Sequence, residues 1–157
     1  EVEKHISTLQ SIWAATPRGK PISGLVTSVF GHRKIFLDNM GDVDGKGRKD
    51  WHAGMDIANK IGTKIKTTAG GRVIFAGKFG GYGLLVIVDH GYGFSTRYGH
   101  CSKILVKKGD IVKAGDELAL VGITGNTTGP HVHYEVRKYG KAIDPQTLDP
   151  DIYSAKR

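Results

Sequence analysis

Cysteine is almost absent: Cys101 stands alone, so the chain can close no internal disulfide. A small fold stapled by cystines is thereby excluded, although many exported proteins also manage without them. Long apolar runs are missing as well. None approaches the ~20 residues that a membrane-spanning helix needs, and the first residues carry no signal-peptide pattern. There is no Lys/Arg run and no basic amphipathic helix. The 23 Lys and Arg are scattered, and they outnumber 15 Asp and Glu for a formal net charge of +8. Such a surface suits anionic partners such as cell-wall polymers, and its lack of basic clusters speaks against nucleic acid. The chain opens on Glu1 rather than Met, which predicts a longer precursor. Its upstream part would carry the targeting information and any membrane anchor or further coiled coil.

With 157 residues, one domain with its own core is expected. Val2, Ile6, Leu9 and Trp13 follow steps of four and three, an a/d helical stripe that stops before Thr16-Pro17. Residues 1–16 are therefore expected to form an N-terminal helix, either the tail of a coiled coil or a single helix docked on the domain at 17–157. Past Pro17 the character changes. Short apolar-rich segments recur between turn signals: 72–76, 84–88, 95–98, 104–106, 117–121 and 132–136. Turns are marked at Gly80-Gly81, Asp89-His90-Gly91, Lys108-Gly109-Asp110 and Ala114-Gly115-Asp116. This pattern predicts a mostly β single domain, an antiparallel sandwich or barrel-like sheet with a short N-terminal helix. The stretch from Asn39 to Asp50 reads as a surface loop at the rim of a cleft.

What is present is a set of metal-competent residues in two short segments. One runs His52-Ala53-Gly54-Met55-Asp56, the other His131-Val132-His133. Imidazole nitrogen and carboxylate oxygen are natural ligands of zinc, and a catalytic site keeps three of them and leaves one position open. Both spacings are even, so each set would project from one face of an extended strand. Small residues at Ala53 and Gly54 would leave room above that strand. On spacing alone, His131 and His133 are both candidate ligands.

The string Thr127-Thr128-Gly129-Pro130-His131-Val132-His133-Tyr134-Glu135-Val136 resembles the motif of the lysostaphin-type, LytM-like zinc endopeptidases, which are peptidoglycan hydrolases. Phe30-Gly31-His32-Arg33, His52 to Ala58, and Tyr98-Gly99-His100-Cys101-Ser102 match in the same order, so the likeness spans Pro21 to Pro145. The resemblance implies that His52, Asp56 and His133 hold Zn2+ while His100 and His131 act as catalytic histidines. It implies a cleft-edge, substrate-binding place for His32 and Arg33. No Glu adjoins a ligand as in His-Glu-x-x-His enzymes, so a histidine pair is expected to do the acid–base work.

The resemblance further implies a periplasmic or extracellular protein acting on the peptide stems of peptidoglycan. Its preferred bond would be a D,D cross-link, with a glycyl-glycine bridge second. The alternative is a non-catalytic regulator that binds and activates other wall hydrolases. Such members typically lose metal ligands, whereas all five residues stand here. A third reading comes from Val106 to Asp116, which looks like the hairpin of biotinyl and lipoyl carriers; it fails because no target lysine sits on an exposed turn between Met or Asp and Ala. Cys101 is expected to be a small buried hydrophobe, and His5 and His90 are expected to have no part in the site.

Overall fold

The computed structural model describes residues 2–35 and 48–154, with backbone alone at 32–35 and 48–50. The N-terminal helix α1 (Val2–Ala15) ends where Pro17 removes a backbone donor. The Thr16 hydroxyl donates to Ile12 O at 2.7 Å, and the Arg18 guanidinium lies 3.5 Å over the Trp13 ring. The stripe does not dock on the domain: Val2, Ile6, Leu9 and Trp13 are each about half exposed or more, from 48 to 72%.

Among the described residues twelve strands follow: β1 (Leu25–Ser28), β2 (Gly31–Ile35), β3 (Arg48–His52), β4 (Met55–Ala58), β5 (Lys64–Lys66) and β6 (Gly71–Lys78), then β7 (Leu84–Gly91), β8 (Phe94–Ile104), β9 (Ile111–Val112), β10 (Glu117–Val121), β11 (His131–Lys138) and β12 (Lys141–Ile143). Ten of them form one antiparallel sheet along the path β1-β4-β11-β8-β7-β6-β9, with β12 beside β11, β10 beside β8 and β5 beside β10. The expected antiparallel, mostly β architecture is present, and the sheet branches at β8 and β11 without closing. β2 and β3 make a separate two-stranded ribbon.

Three local readings change. Arg48 to Asp50 belong to β3 and not to a loop, because they pair with Ile35 to Arg33; residues 39–47 of that stretch lie outside the described residues. Strand β7 runs through Asp89-His90-Gly91, and the reversal falls on Tyr92 and Gly93. Both have positive φ (52° and 85°), as a type I′ hairpin requires. Only Ile104 of the 104–106 segment is strand.

Strand alternation splits the sheet into two chemistries. Val132, Tyr134 and Val136 on β11 and Met55 and Ile57 on β4 are buried in the core with Tyr98, Val86 and Leu118. His131, His133, Glu135 and Arg137, and Asp56 on β4, occupy the intervening positions and so face the other way. Each fully buried aliphatic side chain contributes about 1.5–3 kcal/mol, so the apolar set holds the register that aligns the polar one.

His52 and Asp56 do not share a strand. His52 ends β3 and Asp56 lies on β4, with Ala53-Gly54 crossing between the ribbon and the main sheet. The crossing explains Gly54 better than room for a ligand does: a Cβ there would stand 2.2 Å from Tyr134 O and 2.9 Å from Glu135 Cγ. Gly54→Ala is expected to cost at least about 1–3 kcal/mol, read as a lowered thermal midpoint. An unchanged midpoint would show that the crossing has slack.

Candidate active site

Four strands, β3, β4, β8 and β11, bring the polar residues together. His52 is anchored through Nδ1, 2.9 Å from Val29 O and 3.1 Å from Ser28 Oγ, which leaves Nε2 turned inward. β4 lies against β11 with Asp56 opposite His133. Asp56 Oδ1 consequently lies 2.9 Å from His133 Nδ1 and 3.3 Å from His52 Nε2, and those two nitrogens are 3.3 Å apart. One ligand atom from each of the three residues falls within 4.8 Å of the others. Two imidazoles and a carboxylate meeting at one point are the donor set of a catalytic zinc centre. The residues present therefore fit the metal that their pattern implies.

The other two histidines flank this cluster. His131, two residues before His133, has Nε2 3.6 Å from Asp56 Oδ1, and its Nδ1 is 2.9 Å from Gly129 O and 3.0 Å from Thr127 Oγ1. His100 follows Gly99, the last β8 residue paired with β11, and has φ 63°. A left-handed turn at a non-glycine residue is unusual and strained. It lets β8 leave β11 and continue along β10 from Cys101, while the His100 ring turns to the site. His100 Nδ1 lies 2.7 Å from Thr124 O, and its ring centroid is 4.8 Å from that of His131. The five residues line an open cleft of about 540 Å³, walled by Trp51, Tyr82, Asn126 and Thr127.

Two sequence-level candidates remain at the edge of this picture. His32 and Arg33 occupy β2 opposite Trp51 and Asp50, and their side chains lie outside the described residues. Their neighbour Trp51 does reach the cleft, packed edge-on against Phe30 at 5.1 Å. Cys101 is fully buried in the core, and burial pushes its thiol up to about 12, so it stays protonated. His90 is buried too. Its Nδ1 meets Gly70 O and its Nε2 meets Thr96 Oγ1, both at 2.8 Å, and neither partner lines the cleft.

Sequence reading missed Glu135, Tyr82, Arg137 and Thr124. Glu135 Oε2 lies 2.8 Å from His133 Nε2 and accepts from the Tyr82 hydroxyl at 2.7 Å; Oε1 accepts from Arg137 Nε at 2.8 Å. The available signal was periodicity: Glu135 and Arg137 continue the every-second-residue series begun by His131 and His133. Tyr82 and Thr124 come from distant loops and carried no such mark.

These contacts set the charges. Burial alone would raise the Asp56 carboxyl, yet hydrogen bonds with His133 and His52 outweigh it and hold it well below the usual range. Burial likewise opposes charge on Glu135, but His133, Tyr82 and Arg137 keep it down at about 2. Burial would depress His133, and the carboxylates of Asp56 and Glu135 instead raise it to about 9. His100 is shifted down, chiefly by burial, so it is neutral near pH 7.

The chain belongs to peptidase family M23, whose pattern matches residues 50–145. Among its relatives, the peptidoglycan DD-endopeptidase ShyB of Vibrio cholerae is 42% identical over 103 residues, 66% of this chain and 24% of that protein. The murein hydrolase activator EnvC of Escherichia coli is 44% identical over 93 residues, 59% of this chain and 22% of that protein. A zinc-containing peptidase from Vibrio cholerae superposes with TM-score 0.68 at 36% identity, covering 86% of this chain and 39% of that one. The catalytic domain of lysostaphin from Staphylococcus simulans gives TM-score 0.62 at 30% identity, covering 78% and 90%. The chain spans about a quarter of the length of these curated relatives.

The pKa pattern has a direct consequence for the metal-free domain. The folded value of about 9 for His133 stands above its ordinary 6.5. Its contribution to stability is therefore complete below pH 6.5 and lost as pH rises through 9. The depressed Glu135 works in the opposite sense: its contribution is present above pH 4.5 and lost as pH falls towards 2. Thermal midpoints measured in chelator are expected to fall on both sides of that plateau. A profile flat from pH 6.5 to 9 would contradict the charge assignment of His133.

Proposed function

We propose that residues 17–157 are the catalytic domain of a zinc-dependent endopeptidase that hydrolyses peptide cross-links in bacterial peptidoglycan. The observation that carries this reading is the convergence of His52, Asp56 and His133 at the floor of an open cleft, with two further histidines beside them. In this reading His52 Nε2, Asp56 and His133 Nδ1 hold the zinc. When bound, the ion supplies Lewis acidity, which lowers the pKa of water towards ~7 and polarises a scissile carbonyl.

The chain's own residues supply the rest. His100 is held by Thr124 O through Nδ1, so its Nε2 lone pair is free towards the cleft. Its depressed pKa keeps it in the neutral form that accepts a proton from attacking water. His131, fixed in the same manner by Gly129 O, stands beside it to stabilise charge developing on the carbonyl oxygen or to hand the proton to the leaving amine. The open cleft admits an extended peptide stem, and the +8 net charge favours an anionic wall polymer. A D,D cross-link is the preferred bond, supported by the likeness to ShyB and to the DD-carboxypeptidase/endopeptidase Mpg of Neisseria meningitidis, 40% identical over 97 residues. A glycyl-glycine bridge comes second. Such a substrate places the protein in the periplasm or outside the cell.

One observation favours a second reading, an activator of other wall hydrolases: the likeness to EnvC. The complete set of metal-competent and flanking histidines favours the enzyme. Incubation of the zinc-loaded domain with purified muropeptide dimers, with mass spectrometry of the products, is expected to show cleavage of the peptide cross-link. If no bond is cut with zinc bound, the activator reading prevails. His133→Ala and Asp56→Ala are expected to lose zinc. His100→Ala is expected to retain it and to lose about 10²–10⁴-fold in turnover. A His100→Ala protein without metal would overturn the division of roles.

A further inference from the structure

We propose that Glu135 is a positioning residue that selects which ring nitrogen of His133 is offered to the metal. This deepens, and rests on, the zinc site proposed above. A neutral imidazole carries its proton on one nitrogen and a lone pair on the other. His133 Nε2 is 2.8 Å from Glu135 Oε2, while its Nδ1 faces Asp56 at 2.9 Å and His52 at 3.3 Å. An ionised carboxylate only accepts hydrogen bonds, so this contact places the proton on Nε2 and leaves the Nδ1 lone pair for the ion.

The other histidines of the cleft are set the opposite way, and by the main chain. Nδ1 of His52, His100 and His131 faces the carbonyls of Val29, Thr124 and Gly129 respectively, all within 2.9 Å. Their protons sit on Nδ1, and Nε2 is the free nitrogen. His133 lies in the middle of the sheet, where backbone groups are committed to the ladders with β4 and β8. Its acceptor must then come from a side chain, and the same-face neighbour two residues along the strand is placed to provide one.

Glu135 is built to stay in that role. It is 1% exposed, and both its oxygens are engaged. The Tyr82 hydroxyl donates to Oε2 at 2.7 Å, while Arg137 Nε and Nη2 reach Oε1 at 2.8 and 2.7 Å. Arg97 Nη1 in turn donates to the Tyr82 hydroxyl at 3.2 Å. A carboxylate pinned at both oxygens cannot rotate away, so the orientation of the His133 ring is fixed before the metal arrives. Because Tyr82 also walls the cleft, this network joins the substrate surface to the ligand.

Two measurements test the proposal. Zinc affinity is read by chelator competition in the native domain, Glu135→Ala and Glu135→Gln. Nitrogen-15 spectra of the native zinc-loaded domain report which His133 nitrogen carries the proton. Glu135→Ala is expected to weaken zinc binding about 10–100-fold. Glu135→Gln, whose single amide oxygen can accept the same Nε2–H only with its NH2 turned towards Arg137, is expected to recover part of that loss. The spectrum is expected to show a protonated Nε2 and a metal-bound Nδ1. Native affinity in Glu135→Ala, or zinc held through Nε2 in the native domain, overturns the proposal. The spectrum requires no variant and decides the question even if Glu135→Ala fails to fold. Zinc bound with indifference to Glu135 sinks this proposal alone, whereas a native domain without zinc affinity sinks the metal reading and this one with it.

Discussion

Asp56 on β4 lies opposite His133 on β11, and that register is the constraint on which the site depends. A carboxylate removed from water is costly unless paired, and Asp56 is paired with two imidazoles at 2.9 and 3.3 Å. Moving β11 by one residue would turn His131, His133 and Glu135 into the core and expose Val132, Tyr134 and Val136. The buried side chains on the far face forbid that slip. Core packing and site geometry are thus two faces of the same strands, held by one alignment.

Around that alignment the fold uses local irregularity where the site needs it. Gly54 lets the ribbon cross close over Tyr134 O and carry His52 to Asp56. At His100, a left-handed residue ends the pairing of β8 with β11 and begins its pairing with β10, and the same break turns the imidazole to the cleft. Strain of this kind persists only where its surroundings over-determine it; here Thr124 O holds the ring from one side and the two ladders hold the backbone. Thr124 is itself fixed, its hydroxyl donating to Cys101 O at 2.6 Å and accepting from Leu84 N at 3.0 Å.

Electrostatics then divides the histidines. His133, between two carboxylates, is drawn towards the charged form, so a metal must compete with a proton for it. Among the described residues no carboxylate is in hydrogen-bond contact with His100, and burial shifts it towards the neutral form. One type of side chain is therefore held in two different charge states within a few ångströms. The M23 match covers residues 50–145, so α1, with its exposed stripe, lies outside it, and α1 contributes no residue to the lining of the described cleft.

Much of this was legible in the residues themselves. The turn signals and alternating apolar segments marked most strands, because a half-buried strand has a period of two whatever it packs on. The two metal-competent segments were visible from ligand chemistry alone, and the likeness to the lysostaphin-type enzymes singled out His100. Other features had no local mark. Even spacing suggested that His52 and Asp56 share a strand, but spacing does not report a crossing, and Gly54 serves the close approach of another strand's carbonyl. Nothing near Tyr82 or Thr124 in the chain shows that they fix Glu135 and His100, since those contacts join residues 53 and 24 positions apart. By itself the sequence determined the residue types, the periodicity and hence which side chains share a face. Only the tertiary structure decided which faces meet, which ring nitrogen points inward, and which distant hydroxyls and carbonyls hold it there, because those depend on long-range strand register.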